Sequence, residues 1–284
     1  MSTTIRIAAA QSAVSCDPTA NGHAVRALMR QAHDQGARLV HFPEGAISGY
    51  PGSPQAKQAL AGWNVDWAEV REQVAQTATL AADLGVWAVI GANHRLTPPN
   101  RPHNSLYIIS DRGTVVARYD KRYLSYTEIT DWYTPGFDPV TFDVDGFRFG
   151  CALCIEVNFP ELWLEQGALD VDCVLFSTFS EDPIFDILAR GYAAAHGFWV
   201  SVAVPAQCSA AMPSGVLGPH GYRLASAATD LQPGIVCVDL DRDDPALDVA
   251  LNKARPWRRQ ARAGALYQAR RVDDDPRSTN HSEI

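Results

Sequence analysis

The stretch Phe149-Gly-Cys-Ala-Leu-Cys-Ile-Glu-Val-Asn-Phe-Pro-Glu161 passes from an apolar strand into the start of a helix. Residues 147–153 are apolar enough for a buried strand. Residues 159–166 carry a helical pattern, with Gly167 placed to end it. A strand running into a helix is the repeating unit of α/β architecture. The turn between them holds Cys154, beside the unpaired N–H groups and positive dipole of a helix start near Asn158.

Outward from this unit the alternation recurs. Upstream, residues 5–14, 38–42 and 86–92 read as strands, and residues 19–36 and 66–84 as helices, the second stopped by Gly85. Residues 104–109 and 114–119 make a hairpin around Ser110-Asp-Arg-Gly113, and 140–142 joins 147–153 through Asp145-Gly146. Downstream, 171–176, 198–204 and 234–240 are strands, 183–196 is a helix before Gly197, and 216–217 pairs with 222–224. Hairpins among alternating strands and helices imply mixed sheets. The two halves are coarsely alike, as two helix-covered sheets packed face to face would be. Periodicity does not separate that arrangement from one doubly wound sheet.

The 284 residues are 46% hydrophobic and 20% charged, enough for one large domain with a sizeable core or for two small ones. A net charge of -8 argues against a nucleic-acid surface. The first residues carry no leader pattern and no run is long and apolar enough to span a bilayer, so a cytoplasmic location is expected and no membrane partner. Six cysteines without secretory features read mostly as buried free thiols. Cys151 and Cys154 form a Cys-x-x-Cys pair, but Cys151 lies within the strand rather than at a helix start, which disfavours redox or metal use. A single domain is expected over residues 1–262. Residues 263–284 are expected to be a tail, mobile or held at a subunit interface.

Three segments carry ionisable groups just past apolar runs. Cys154 reads either as a nucleophile or as a buried thiol beside Cys151. Glu44, after Phe42-Pro43, reads as a general base or as a loop carboxylate. Lys121, in Tyr119-Asp-Lys-Arg-Tyr-Leu124, reads as an oxyanion donor or as an exposed lysine. Glu128 or Asp131 would orient Lys121 or a substrate amine, and Tyr50, Tyr126, Trp132 and Tyr133 serve as pocket wall or core. Glu156 is suited to binding backbone or a basic partner. The histidines, His41 among them, show no metal-ligand spacing, and no phosphate-binding glycine loop is present.

Taken together, Phe42-Pro-Glu44, the Lys121 segment and Cys154-Ile-Glu-Val-Asn-Phe-Pro-Glu161 resemble the nitrilase, or carbon–nitrogen hydrolase, superfamily over about residues 5–240. Asn104-Ser-Leu-Tyr107 and Gly218-Pro-His-Gly-Tyr-Arg-Leu-Ala225 add to the likeness. The resemblance implies a four-layer αββα sandwich of two mixed sheets and a Glu44–Lys121–Cys154 triad. It implies thioester chemistry with no metal or organic cofactor, and a homodimer or larger homo-oligomer with the C-terminal segment at the interface. Cys154 would attack the carbonyl carbon, Glu44 would move protons, and Lys121 with the Ile155 N–H would hold the oxyanion. Glu128 is the nearest match to a supporting glutamate, though its spacing to Thr134-Pro-Gly136 is about one residue long; Asp131 is the alternative. Tyr50 and Trp132 are placed as substrate-orienting. The expected activity is amide hydrolysis with release of ammonia. Alternatives are hydrolysis of N-carbamoyl amides or nitriles and, in another class, a non-catalytic interaction scaffold. Val157-Asn158 supplies no basic clamp for a carbamoyl amino acid's carboxylate.

Overall fold

The computed structural model describes residues 2–52, 54–59 and 65–282; the last two residues of the expected tail lie outside the described residues. The first half of the chain gives β1 (Thr4–Gln11), α1 (Pro18–Asp34), β2 (Leu39–His41), α2 (Pro54–Ala59), α3 (Trp67–Leu84), β3 (Trp87–His94), β4 (His103–Ile109) and β5 (Val115–Asp120). The second gives β6 (Thr141–Val144), β7 (Phe147–Leu153), α4 (Pro160–Ala168), β8 (Cys173–Ser177), α5 (Ile184–His196), β9 (Trp199–Ala203), β10 (Gly215–Leu217), β11 (Arg223–Ser226), β12 (Gly234–Asp241) and α6 (Arg255–Arg262). Single helical turns at Ala265–Gln268 and Pro276–Thr279 follow.

These strands form two six-stranded mixed sheets, ordered β12-β1-β2-β3-β4-β5 and β11-β10-β9-β8-β7-β6. Each has three parallel strands at its centre, β1-β2-β3 in one and β7-β8-β9 in the other, flanked by antiparallel partners. Period-2 alternation sorts their side chains into layers. Ile7, Leu39, Val89 and Ile108 of the first sheet meet Phe149, Cys151, Leu175 and Trp199 of the second. The opposite face of the first sheet packs Ala8, Val40 and Ile90 against Leu28 and Met29 of α1 and Val74 and Ala81 of α3. The outer face of the second packs Val174, Phe176 and Val200 against Trp163 of α4 and Ala189 of α5. The result is the four-layer αββα sandwich, and it excludes the single doubly wound sheet. Each fully buried large aliphatic side chain in these layers contributes about 1.5–3 kcal/mol.

Helix starts follow their caps. The Asp17 carboxylate accepts from the N–H groups of Thr19 and Ala20, and Asp66 accepts from Ala68 and Glu69. One expected stop is corrected. Gly167 lies inside α4, whose cap is Leu169. A Cβ at Gly167 would come within 2.9 Å of His196 Nδ1, so the glycine admits the imidazole at the end of α5 instead of ending its own helix. α6 was not visible in the sequence because none of its residues is buried, which leaves no apolar stripe to read. Its arginines hold it: Arg255 and Arg259 reach Asp170, and Arg258 and Arg262 donate to the carbonyls of Ala194 and Ala195. Beyond Arg262 the described residues are largely exposed. No helix among the described residues is long and apolar enough to cross a membrane.

Candidate active site

Glu44 and Cys154 sit on the turns that leave the parallel strands β2 and β7, where ligands bind in open α/β sheets, and Lys121 follows the antiparallel edge strand β5. Pro43 follows β2 and closes off further pairing. The turn after it folds back over β3, where Gly91 has no side chain; a Cβ there would collide with the Pro43 carbonyl and the Glu44 backbone. The Gly91 carbonyl also accepts from Ile47 N at 2.9 Å. Glu44 is thereby fully buried. Its Oε1 accepts from Asn104 Nδ2 at 2.7 Å and Lys121 Nζ at 3.0 Å, and its Oε2 accepts from the Phe179 N–H at 2.9 Å.

Lys121 leaves β5 and is also fully buried. Its N–H donates to the Asn104 carbonyl at 2.8 Å, so Asn104 holds both the lysine backbone and the Glu44 carboxylate. The ammonium lies 2.6 Å from Glu128 Oε1 as well as 3.0 Å from Glu44. Glu128 is anchored in turn by Ser125 N at 2.8 Å and Tyr50 Oη at 3.2 Å. Of the two residues considered for supporting Lys121, Glu128 makes the contact. Asp131 is exposed and faces a separate cleft with Pro98 and Pro99.

Cys154 directly follows β7 with φ 47°, in the left-handed region that non-glycine residues seldom occupy, and opens a 3-10 turn through Asn158. Glu156, two residues on and buried, clamps this turn. Its carboxylate accepts from Leu153 N at 2.7 Å, Arg122 N at 2.7 Å and Tyr123 N at 3.1 Å, and lies 2.8 Å from Tyr119 Oη. One carboxylate therefore ties the cysteine turn to the segment that carries Lys121. The Ile155 N–H belongs to the first turn, whose N–H groups have no partner further back in the helix. Cys151 packs between the sheets while Cys154 joins the layer under α4 and α5, and both are free thiols.

Burial sets the electrostatics. It pushes the Cys154 thiol well up, with Glu44 adding to the rise and Lys121 only partly opposing it, so the resting sulfur is protonated. Burial also raises Glu44 above its ordinary 4.5, against the pull of Lys121. Glu128 feels burial too, but the Lys121 charge and hydrogen bond, with the Ser125 donors, outweigh it and lower the carboxyl. Desolvation pulls Lys121 down, but the Glu44 and Glu128 carboxylates overcome it and keep an ammonium. Two carboxylates on one ammonium are thus driven apart in acidity.

Aromatic rings wall one side. Tyr50 stacks on Phe179 with centroids 5.1 Å apart and meets Trp132 edge-on at 6.0 Å, and Lys57 Nζ lies 5.4 Å over the Trp132 ring. Tyr133 is buried next to Tyr50, whereas Tyr126 is exposed. Among the described residues no group of three or more His, Cys, Asp or Glu is placed to hold a metal ion. The backbone-binding part expected of Glu156 is the one it plays, whereas residue types alone did not reveal the parts of Asn104 and the Phe179 N–H. Asn104 gave the one legible signal, a polar residue disfavoured in strands standing at the head of an apolar run.

The profile of the carbon–nitrogen hydrolase family matches residues 6–246. A Mycobacterium tuberculosis protein described as a hydrolase is 29% identical over 270 residues, covering 85% of this chain and 91% of that protein. A Homo sapiens omega-amidase is 25% identical over 258 residues, covering 84% and 89%. Among solved structures, the amidase from Nesterenkonia sp. AN1 is 25% identical, covers 89% of this chain and 99% of its own, and superposes with a TM-score of 0.73.

Proposed function

The chain belongs to the carbon–nitrogen hydrolase family, and from that premise we propose that it is an amidase releasing ammonia and a carboxylic acid through a thioester on Cys154. The observation that carries this reading is the buried Glu44–Lys121–Glu128 cluster acting electrostatically on a cysteine held at a left-handed turn. Amidases among the relatives support the reaction class.

Cys154 sulfur forms a bond to the amide carbon as its proton passes to Glu44, and the carbonyl π pair becomes an oxyanion. Burial makes Glu44 a stronger proton acceptor, while the raised thiol keeps its proton until the carbon–sulfur bond forms. Once Glu44 is protonated, Lys121 loses one of its two anionic partners. Glu128, kept ionised, holds the ammonium in place, and its charge is free to face the oxyanion together with the Ile155 N–H. Collapse breaks the C–N bond, and the Glu44 proton leaves with ammonia. Water then gives its proton to Glu44 and attacks the thioester, returning the thiol. Tyr50 and Trp132, with Phe179, form the wall that orients the acyl chain.

A panel of short aliphatic, aryl and ω-amides, N-carbamoyl amino acids and nitriles, assayed for ammonia, tests the assignment. Highest kcat/KM on amides is expected. A tenfold preference for carbamoyl compounds or nitriles would replace the amidase reading, and no turnover of any class would favour the scaffold. We further propose a cytoplasmic homodimer with residues 263–284 as its tail. Buried free cysteines support a reducing compartment. The exposed apolar side chains of Leu164, Ile184, Ile187, Tyr222 and Leu224 offer surface for an apolar interface, and light scattering should give twice the chain mass.

A further inference from the structure

Between the sheets, where packing is otherwise apolar, His41 stands on the inner face of β2 and is fully buried. Its Nε2 lies 2.7 Å from Ser177 Oγ at the end of β8, and its Nδ1 lies 3.0 Å from Ser201 Oγ in β9. Ser177 Oγ also lies 2.8 Å from the Phe42 carbonyl, to which it must donate. A hydroxyl has one proton. Ser177 is therefore the acceptor at His41, so the ring carries its proton on Nε2 and takes the Ser201 proton at Nδ1. The chain runs one way: Ser201 O–H to Nδ1, Nε2–H to Ser177, Ser177 O–H to the Phe42 carbonyl. It starts in the second sheet, crosses to the first, returns, and ends two residues before Glu44.

The proposed amide hydrolysis needs Glu44, on the first sheet, to meet Cys154, on the second. Apolar packing between sheets is non-directional, whereas this relay fixes distance and angle at three successive bonds. The end of β8 also feeds the site directly. Phe179 N, two residues past Ser177, donates to Glu44 at 2.9 Å, and Ser177 itself pairs in register with Leu153, the residue before Cys154. A shift of the Ser177 region moves the Glu44 contact and the strand pairing that leads into Cys154.

We propose that His41 is a positioning residue which, through Ser177, sets the base on one sheet against the nucleophile on the other. The proposal rests on the amidase reading above. It places no proton transfer to substrate on His41, so the shape of the pH–rate profile belongs to other groups.

The test uses full-length His41→Val, His41→Gln and Ser177→Ala proteins, each checked for wild-type circular dichroism. On the best amide, His41→Val and Ser177→Ala should lose about tenfold or more in kcat, with KM within about twofold, because a misplacement near 1 Å costs that much at a reacting centre. His41→Gln, which keeps a donor and an acceptor, should recover part of the loss. The acid limb of kcat should keep its midpoint in all three. Where His41→Val does not fold, Ser177→Ala decides, since it deletes one oxygen. A folded variant with kcat within twofold of wild type, a loss carried by KM, or a displaced acid limb would each overturn the proposal. Nitrogen-15 NMR of the wild-type imidazole gives a readout independent of activity: the Nε2–H tautomer is expected, and an Nδ1–H tautomer would overturn it. If the wild-type protein turns over no amide, the amidase reading fails, while the tautomer still tests the relay.

Discussion

At the level of single residues, Glu44 and Glu128 share one ammonium yet are driven in opposite directions, Glu44 up and Glu128 down. The raised carboxyl of Glu44 is therefore the stronger proton acceptor of the two. Glu44→Gln and Lys121→Ala should each lower single-turnover acylation by roughly 10²-fold or more, as expected for groups acting on the transition state. Near-wild-type rates in either would remove the role given to it. Because Glu44 must be ionised to accept the thiol proton, kcat/KM should fall on the acid side with a midpoint above 4.5, the ordinary glutamate value. Glu156 has a different part. Its carboxylate accepts three backbone N–H groups and sits beside the Tyr119 hydroxyl, so Glu156→Gln turns an acceptor into a donor facing donors. Leaving such buried groups unsatisfied should cost about 1–3 kcal/mol, readable as a lower urea midpoint. Glu44, Lys121, Glu128 and Cys154 were legible in the sequence because each lies in a segment with its own pattern. Asn104 stood out only as a polar residue heading an apolar run, and the parts of Asn104 and His41 were not legible, because they depend on particular partners distant in sequence, 60 residues away for Glu44 and 160 for Ser201.

At the level of elements, the extra residue between Glu128 and Thr134 has a physical home. Residues Glu128–Trp132 form a π-turn in which Tyr133 N reaches back five residues to the Glu128 carbonyl at 2.8 Å. A π-turn absorbs one residue more than an α-turn. Glu128 therefore stays on Lys121 while Trp132 still meets Tyr50. Sequence spacing registered the surplus but not the conformation that takes it up. The sheet-to-sheet contact at His41 carries a pH consequence. Burial lowers the imidazole from 6.5 to about 3, so the folded protein keeps it neutral where the unfolded chain would protonate it. The unfolded state binds more protons in that interval, and the stabilising contribution is complete above about 6.5 and lost as pH falls toward 3. Thermal melts from pH 7 to pH 4 should fall more steeply for wild type than for His41→Val. Parallel curves would show that the ring does not enter the folded state neutral.

At the level of the whole molecule, strand–helix alternation was legible, and so were the hairpins that make both sheets mixed. The way two such sheets stack was not, because period-2 patterning marks a buried face without naming what covers it. Residues after Asp241 also escaped, since α6 is held by charge: Arg258 and Arg262 cap the carbonyl end of α5. Replacing both with alanine should cost about 1–2 kcal/mol and lower Tm by a few degrees, and an unchanged melt would deny the capping role. In the proposed reaction the sandwich brings Glu44 and Lys121 from one sheet to Cys154 from the other. The most direct test is peptide-mapped mass spectrometry of protein quenched during turnover of a short aliphatic amide. An acyl group of the substrate's mass is expected on Cys154, absent from a folded Cys154→Ala protein that no longer releases ammonia. An adduct on Cys151 instead, or full amidase turnover by folded Cys154→Ala, would contradict it.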